Sequence, residues 1–217
     1  MRTKTFVVSC ALAVLSLAAP ALAGPPFICH PFDIGGAASL PWVDGAYLGM
    51  RGDYDITRVV ADTQALLKAD MPTLARMETL RRAVLYASRD RALAERLVAV
   101  LTARVHAADG AGHADAQAIF DAGYVLEAMS EVEMLGHHMG SDLAARGRTL
   151  AGMTRPDDGR ALILKSAALR AGDAGIAFAL ALISKTEDKQ PHLLKARAAA
   201  KHDRLLASNM ARLQMLP

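Results

Sequence analysis

Cysteine is nearly absent from this chain, with two in 217 residues, at positions 10 and 29. Aromatic residues make up only 5%, with a single tryptophan, Trp42, and there is a single asparagine, Asn209. No Cys-x-x-Cys-His run occurs, which excludes covalent haem attachment by the usual route. Phosphate-binding glycine loops, a Gly-x-Ser-x-Gly elbow, His-Glu-x-x-His and carboxylate pairs of telling spacing are all missing from the sequence. Charge of one sign is not in excess either: 25 basic side chains face 22 acidic ones.

What is present begins at the amino terminus. Arg2 and Lys4 precede an apolar run from Phe6 to Ala18, Pro20 breaks it, and Ala21-Leu22-Ala23 supplies small residues for a peptidase. This predicts a secretory signal peptide over residues 1–23 and an exported, periplasmic or secreted protein. The run is short for a bilayer, and the Pro20 break argues against an uncleaved anchor. A lipid-attachment reading of Cys10 fails because the apolar run continues past it. Removal of 23 from 217 residues leaves a mature chain of 194, with Arg2 and Lys4 gone and a charge near +1. That balance predicts no nucleic-acid partner and no stable membrane span after cleavage. Cys29 is then the only cysteine, and no disulfide can form within the mature chain.

Composition shifts near residue 56. Residues 24–56 hold Pro25, Pro26, Pro31 and Pro41 among several glycines, with no helical period. They read as an extended Pro/Gly-rich arm. Phe27, Ile28, Phe32, Ile34, Leu40, Trp42, Val43, Tyr47 and Leu48 are too apolar for the arm to stay in water, so it is expected to lie across the rest.

Residues 57–217 read as an α-helical domain. Apolar side chains recur at three- and four-residue steps through Val59–Leu67, Leu74–Leu85, Leu93–Val105 and Ile119–Leu135. A short segment spans 143–150, Asp157 and Asp158 cap a stretch to Leu169, Ile176–Ile183 is nearly all apolar, and a last helix runs from near Pro191 to about Arg212. The fold class predicted is all-α, with about seven antiparallel helices stacked as helical hairpins behind an extended N-terminal arm.

Within Ala167–Ala177, the Gly172-Asp173 pair, the alanine five residues after Gly172, then Ala181 and Pro191, resemble a tetratricopeptide-repeat hairpin. Ser184 stands where a further alanine is expected, and no second copy follows at a period of about 34 residues. That resemblance implies a protein-binding scaffold. Gly24–Trp42 and Arg76-Met77-Glu78-Thr79-Leu80-Arg81-Arg82 are similar to uncharacterised exported bacterial α-helical proteins, which implies location and no activity.

Candidate chemistry is sparse. Cys29 and His30 place a thiol beside an imidazole, types that bind zinc or copper. His137 and His138 follow Glu133, four residues before His137 on one helix face, and offer a second half-site. Against a ligand role, the flanking Gly136 and Gly140 mark a helix end that favours histidine for its own sake. Arg76, Arg81, Arg82, Arg89, Arg91 and Arg96 suggest an anion pocket, or, with Glu78 and Arg82 as an i,i+4 pair, a charged outer face. Arg51-Gly52-Asp53 is a short tripeptide match to integrin ligands that arises readily by chance.

Two function classes stay open. One is an exported non-catalytic scaffold that binds a protein or cell-envelope component and needs no cofactor. The other is a small envelope protein holding zinc or copper through Cys29, His30 and the pair His137 and His138.

Overall fold

A computed structural model of the protein describes residues 27–213 and 215, apart from 45, 47, 139 and 185. The predicted leader and the first three arm residues lie outside these. Among the described residues nine α-helices follow one another: α1 (Val59–Leu66), α2 (Thr73–Ala87), α3 (Arg91–Gly110), α4 (Ala116–Gly136), α5 (Ser141–Leu150), α6 (Asp158–Leu169), α7 (Ala174–Ile183), α8 (Thr186–Ala200) and α9 (Arg204–Arg212). Among the described residues there is no strand, only an isolated bridge between Trp42 and Met50. No described helix is long and apolar enough to cross a membrane.

Aspartate sets four of the starts. Asp90, Asp115, Asp173 and Asp203 each hold extended backbone and accept amide hydrogens from the first turns of α3, α4, α7 and α9. Each such cap stabilises its helix by about 1 kcal/mol. Asp203 also explains a departure at the carboxyl end. The single helix expected from Pro191 to Arg212 is two, broken at Lys201-His202, with α9 restarting on the Asp203 cap. Pro191 lies inside α8, not at its start, and forfeits the bond its missing N–H would make to Glu187.

Successive helices pack as hairpins, notably α6 with α7, α7 with α8 and α8 with α9, while α4 is gripped by α2, α3, α5 and α6. Two glycine pairs allow the closest of these approaches. A Cβ on Gly123 of α4 would stand 2.7 Å from the carbonyl oxygen of Gly159 on α6, and one on Gly136 would stand 2.9 Å from the Cα of Gly147 on α5. Without side chains at these crossings, both helices press backbone to backbone onto α4.

The central helix α2 is buried on every side, with 13 of its 15 residues out of water. The arm completes that burial. Phe27, Ile28, Phe32 and Leu40 enter the same core as the helices. Phe27 packs on Tyr124 at 5.2 Å between ring centroids, Phe32 on Phe178 at 6.0 Å and Trp42 on Tyr86 at 5.9 Å. Ile34, Trp42 and Leu48 are half-buried against it, and Val43 of the arm stands 52% exposed.

Candidate functional site

The polar side chains of α2 form a ladder facing the arm. Glu78, fully buried, accepts from Arg81 Nε at 2.7 Å, from Arg82 Nε at 2.6 Å and from the Phe32 amide at 3.0 Å. Arg81 Nη1 donates to the Ile28 carbonyl (2.9 Å) and Arg82 Nη1 to the Leu40 carbonyl (2.6 Å). Both guanidinium groups stack over the Trp42 ring, at 4.8 and 5.6 Å from its centroid. One turn on, the Tyr86 hydroxyl donates to the Pro41 carbonyl and accepts from the Arg51 amide. Asn209 of α9 reads Asp33 as a strand would, accepting from its N–H at 2.7 Å and donating to its carbonyl at 2.8 Å. An irregular arm without a sheet partner thus has its buried amides and carbonyls satisfied by side chains.

Helix α4 adds one buried acid, Asp121, and two partly buried ones, Glu127 and Glu131. Asp121 receives Arg76 Nη1 on both oxygens, at 2.7 and 2.9 Å, and Arg104 Nη1 at 2.9 Å. Burial pushes its carboxyl up to about 6 against the pull of the two arginines. Glu127 accepts the Arg160 amide at 2.6 Å and so caps α6 from outside, in place of Asp157, which takes a left-handed φ of 67° and makes no cap bond. Burial raises the Glu127 carboxyl as well. One turn further, Glu131 accepts the amides of Phe27 (3.2 Å) and Ile28 (2.7 Å), which pins the start of the arm. Desolvation drives its carboxyl up to about 8, opposed by those two amides and reinforced by Glu127.

An open cleft lies at one end of the bundle. It encloses about 460 Å³ where α2, α7 and α9 begin, and a neighbouring hollow of about 440 Å³ carries it to the start of α4. Gln117 and Arg170 line both parts. Three of the carboxylates facing it are engaged: Asp173 holds the Ile176 amide, the Thr73 hydroxyl and Arg170, while Asp115 and Asp203 cap their own helices. A smaller apolar hollow of about 270 Å³ adjoins it across Asp70-Met71-Pro72, between α1 and the arm.

The sequence-derived candidates fall as follows. Cys29 is half-buried in the arm's first turn, and burial, with Glu131 beside it, raises its thiol. His30 is partly buried next to it. His137 and His138 are exposed just past the end of α4. His137 lies six residues beyond Glu131, a rise of roughly 9 Å along a helix axis. Glu133 holds the Gly152 amide. Among the described residues, no three His, Cys, Asp or Glu side chains gather as a group able to hold a metal ion.

The arginines divide. Arg76 and Arg81 are fully buried and Arg82 nearly so, all three committed to Asp121 or Glu78, whereas Arg89, Arg91 and Arg96 are exposed. The Glu78–Arg82 pair forms, on an interior face and not an outer one. Arg51 and Asp53 pair with each other at 2.7 Å on an exposed turn. In the repeat-like segment, Gly172-Asp173 forms the turn between α6 and α7, and Ala177 and Ala181 are buried in α7. Sequence reading missed the arm-holding role of Glu78, Arg81, Glu131 and Asn209; the i,i+3 and i,i+4 spacing from Glu78 was the one available signal. No protein-family model, curated protein or solved structure matches this chain.

Proposed function

We propose that this protein is an exported, non-catalytic helical scaffold that docks another protein or a cell-envelope component in the cleft where α2, α4, α7 and α9 begin. One observation carries the reading. The carboxyls pushed furthest from ordinary behaviour, Glu131 and Asp121, are spent inside the fold, on the arm and on Arg76. The cleft is lined instead by Asp173 and Asp203, bound to main-chain amides of their own helices, with Gln117 held on the Ala69 carbonyl and Arg170 paired with Asp173 at its mouth. An open, shaped cavity whose Asp173 and Asp203 carboxylates serve as helix caps suits binding better than proton transfer. The repeat-like α6–α7 hairpin forms one wall and supports the same reading. Burial that disfavours the Cys29 thiolate weighs against zinc or copper there.

A photo-crosslinking residue at Gln117, compared with one at exposed Ala198 on α8, tests this on the exported protein. One envelope component captured through Gln117, absent through Ala198 and lost on Arg170→Glu is expected. Equal capture at both positions, or none at Gln117, sinks the cleft as the docking place.

A further inference from the structure

The near balance of charge over the whole chain hides a separation along it. Residues 189–217 carry six basic side chains, Lys189, Lys195, Arg197, Lys201, Arg204 and Arg212, against Asp203 alone, whereas residues 27–188 carry 17 basic against 21 acidic ones. Asp203 is spent on the Leu206 amide. Two cross-links orient the helices that meet at this basic end. Arg160 near the start of α6 bonds Asp188 near the start of α8 at 2.6 Å, and Lys195 in the second half of α8 donates to the Ala171 carbonyl just past the end of α6. The two helices therefore run in the same direction, with their second halves at one end of the molecule. Apolar side chains gather there as well. Of the four large ones that stand exposed among the described residues, two are here: Leu169, 50% exposed in the last turn of α6, and Leu194, 61% exposed on α8. Lys165 lies four residues before Leu169 on the same face of α6, and Lys201 and Arg204 follow Leu194 across the α8–α9 turn. All three are exposed, and among the described residues none makes a side-chain hydrogen bond or an ion pair.

We propose that this end of the molecule docks on a bilayer surface rich in anionic phospholipid, with Lys165, Lys201 and Arg204 on the headgroups and Leu169 and Leu194 at the acyl boundary. The inference rests on the envelope-docking reading and names one component for it. Unpaired ammonium and guanidinium groups are drawn to the negative potential of such a surface, each worth about fivefold in partitioning. The leucines decide between polyanions. A leucine left half or more in water gains by entering the acyl boundary, whereas a polyanion in solution leaves it exposed. Residues 189–217 also contain no phenylalanine, tyrosine or tryptophan on which a nucleic-acid base could stack. No described helix is long and apolar enough to cross the bilayer, so the contact lies in the plane of the interface.

Flotation of the exported chain with vesicles tests it at about 0.1 M salt, where exposed charges more than about 10 Å apart are screened. Binding is expected to vesicles of equal phosphatidylglycerol and phosphatidylcholine, and not to phosphatidylcholine alone. Lys165→Gln, Lys201→Gln and Arg204→Gln together are expected to lower the partition coefficient about a hundredfold, the product of three such steps. A control removes as many charges elsewhere. Arg89, Arg96 and Arg148 are also exposed and without side-chain partners among the described residues, and their joint change to glutamine is expected to leave binding within about threefold of wild type. Leu194→Ser leaves the charge alone and is expected to weaken binding about tenfold. Equal losses in the two charge variants overturn the docking surface, since net charge alone then suffices. Undiminished binding by Leu194→Ser overturns the bilayer as partner and points to a soluble polyanion. A photo-crosslinking group at Ala198, on the same exposed face of α8, is expected to capture lipid and not the component caught through Gln117. The two readings fail separately. No vesicle binding beside intact capture through Gln117 overturns the bilayer contact alone, whereas vesicle binding without that capture overturns the cleft alone.

Discussion

Glu131 is the residue on which the arm's first turn depends, and its chemistry has a measurable sign. In the folded chain burial holds its carboxyl at about 8, against 4.5 for a free glutamate. The folded state therefore binds this proton more tightly than the unfolded state does. Stability falls as pH rises from about 4.5 to about 8 and levels off above, because the unfolded chain ionises first. Glu127, raised by burial, adds to the same slope. Glu131→Gln keeps a carbonyl to accept an arm amide and removes the titration. We expect urea midpoints of the wild type to decline across that window and those of Glu131→Gln to decline less. Parallel profiles would show that Glu131 does not titrate inside the fold. Nothing local in the sequence marks this glutamate. Its partners, Phe27 and Ile28, are more than a hundred residues away, so the desolvation that defines it is legible only once the chain has folded. Asn209 is hidden for the same reason, since its backbone partner Asp33 is 176 residues distant.

At the scale of elements, most of the chain was legible, and the exceptions share one cause. Helices were readable where an aspartate stops one apolar period and starts the next, as at Asp90 and Asp173. The final break is not, because Pro191 offers a competing start signal and Asp203 falls inside the helix which that signal predicts. Nor was the burial of α2, because its Arg-x-Glu-x-x-Arg-Arg run has the composition of a solvated surface. The arm laid over Glu78, Arg81 and Arg82, and α4 packed over Arg76, turn those charges inward, where each is paired, as buried charges must be. Packing between elements gives a sharper test. Gly123→Ala places a methyl group 2.7 Å from the Gly159 carbonyl oxygen and 2.9 Å from Ile163 Cγ1, and a backbone oxygen cannot turn aside. Helices α4 and α6 must separate, at a cost of about 1–3 kcal/mol. A Cβ on Gly172 meets nothing within 4 Å, so Gly172→Ala is expected to stay within about 0.5 kcal/mol of wild type. Equal thermal shifts for both variants would refute the close α4–α6 approach.

For the molecule as a whole, the arm is the part whose removal decides how the fold is held. Phe27, Ile28, Phe32 and Leu40 each bury a large apolar side chain, contributing about 1.5–3 kcal/mol apiece, together comparable to the entire margin of about 5–15 kcal/mol of a typical domain. Without the arm, Tyr124, Phe178 and Tyr86 lose their ring contacts with Phe27, Phe32 and Trp42. A helix built to be buried on all sides, α2, then faces water along its polar ladder. Helix caps and the α4 glycine contacts survive this loss, while side-chain packing around α2 does not. A chain beginning at Asp55 is therefore expected to keep its far-ultraviolet helical signal but lose near-ultraviolet dichroism, bind a hydrophobic dye and melt without cooperativity. A synthetic peptide of residues 27–54 added in trans is expected to restore cooperative melting, because the arm's polar contacts run through side chains of α2, α4 and α9 that remain on the truncated chain. A truncated chain that melts as sharply as the intact one would make the arm an appendage on an autonomous bundle. The ladder of Glu78, Arg81 and Arg82 would then have to be explained as a surface waiting for a different extended segment.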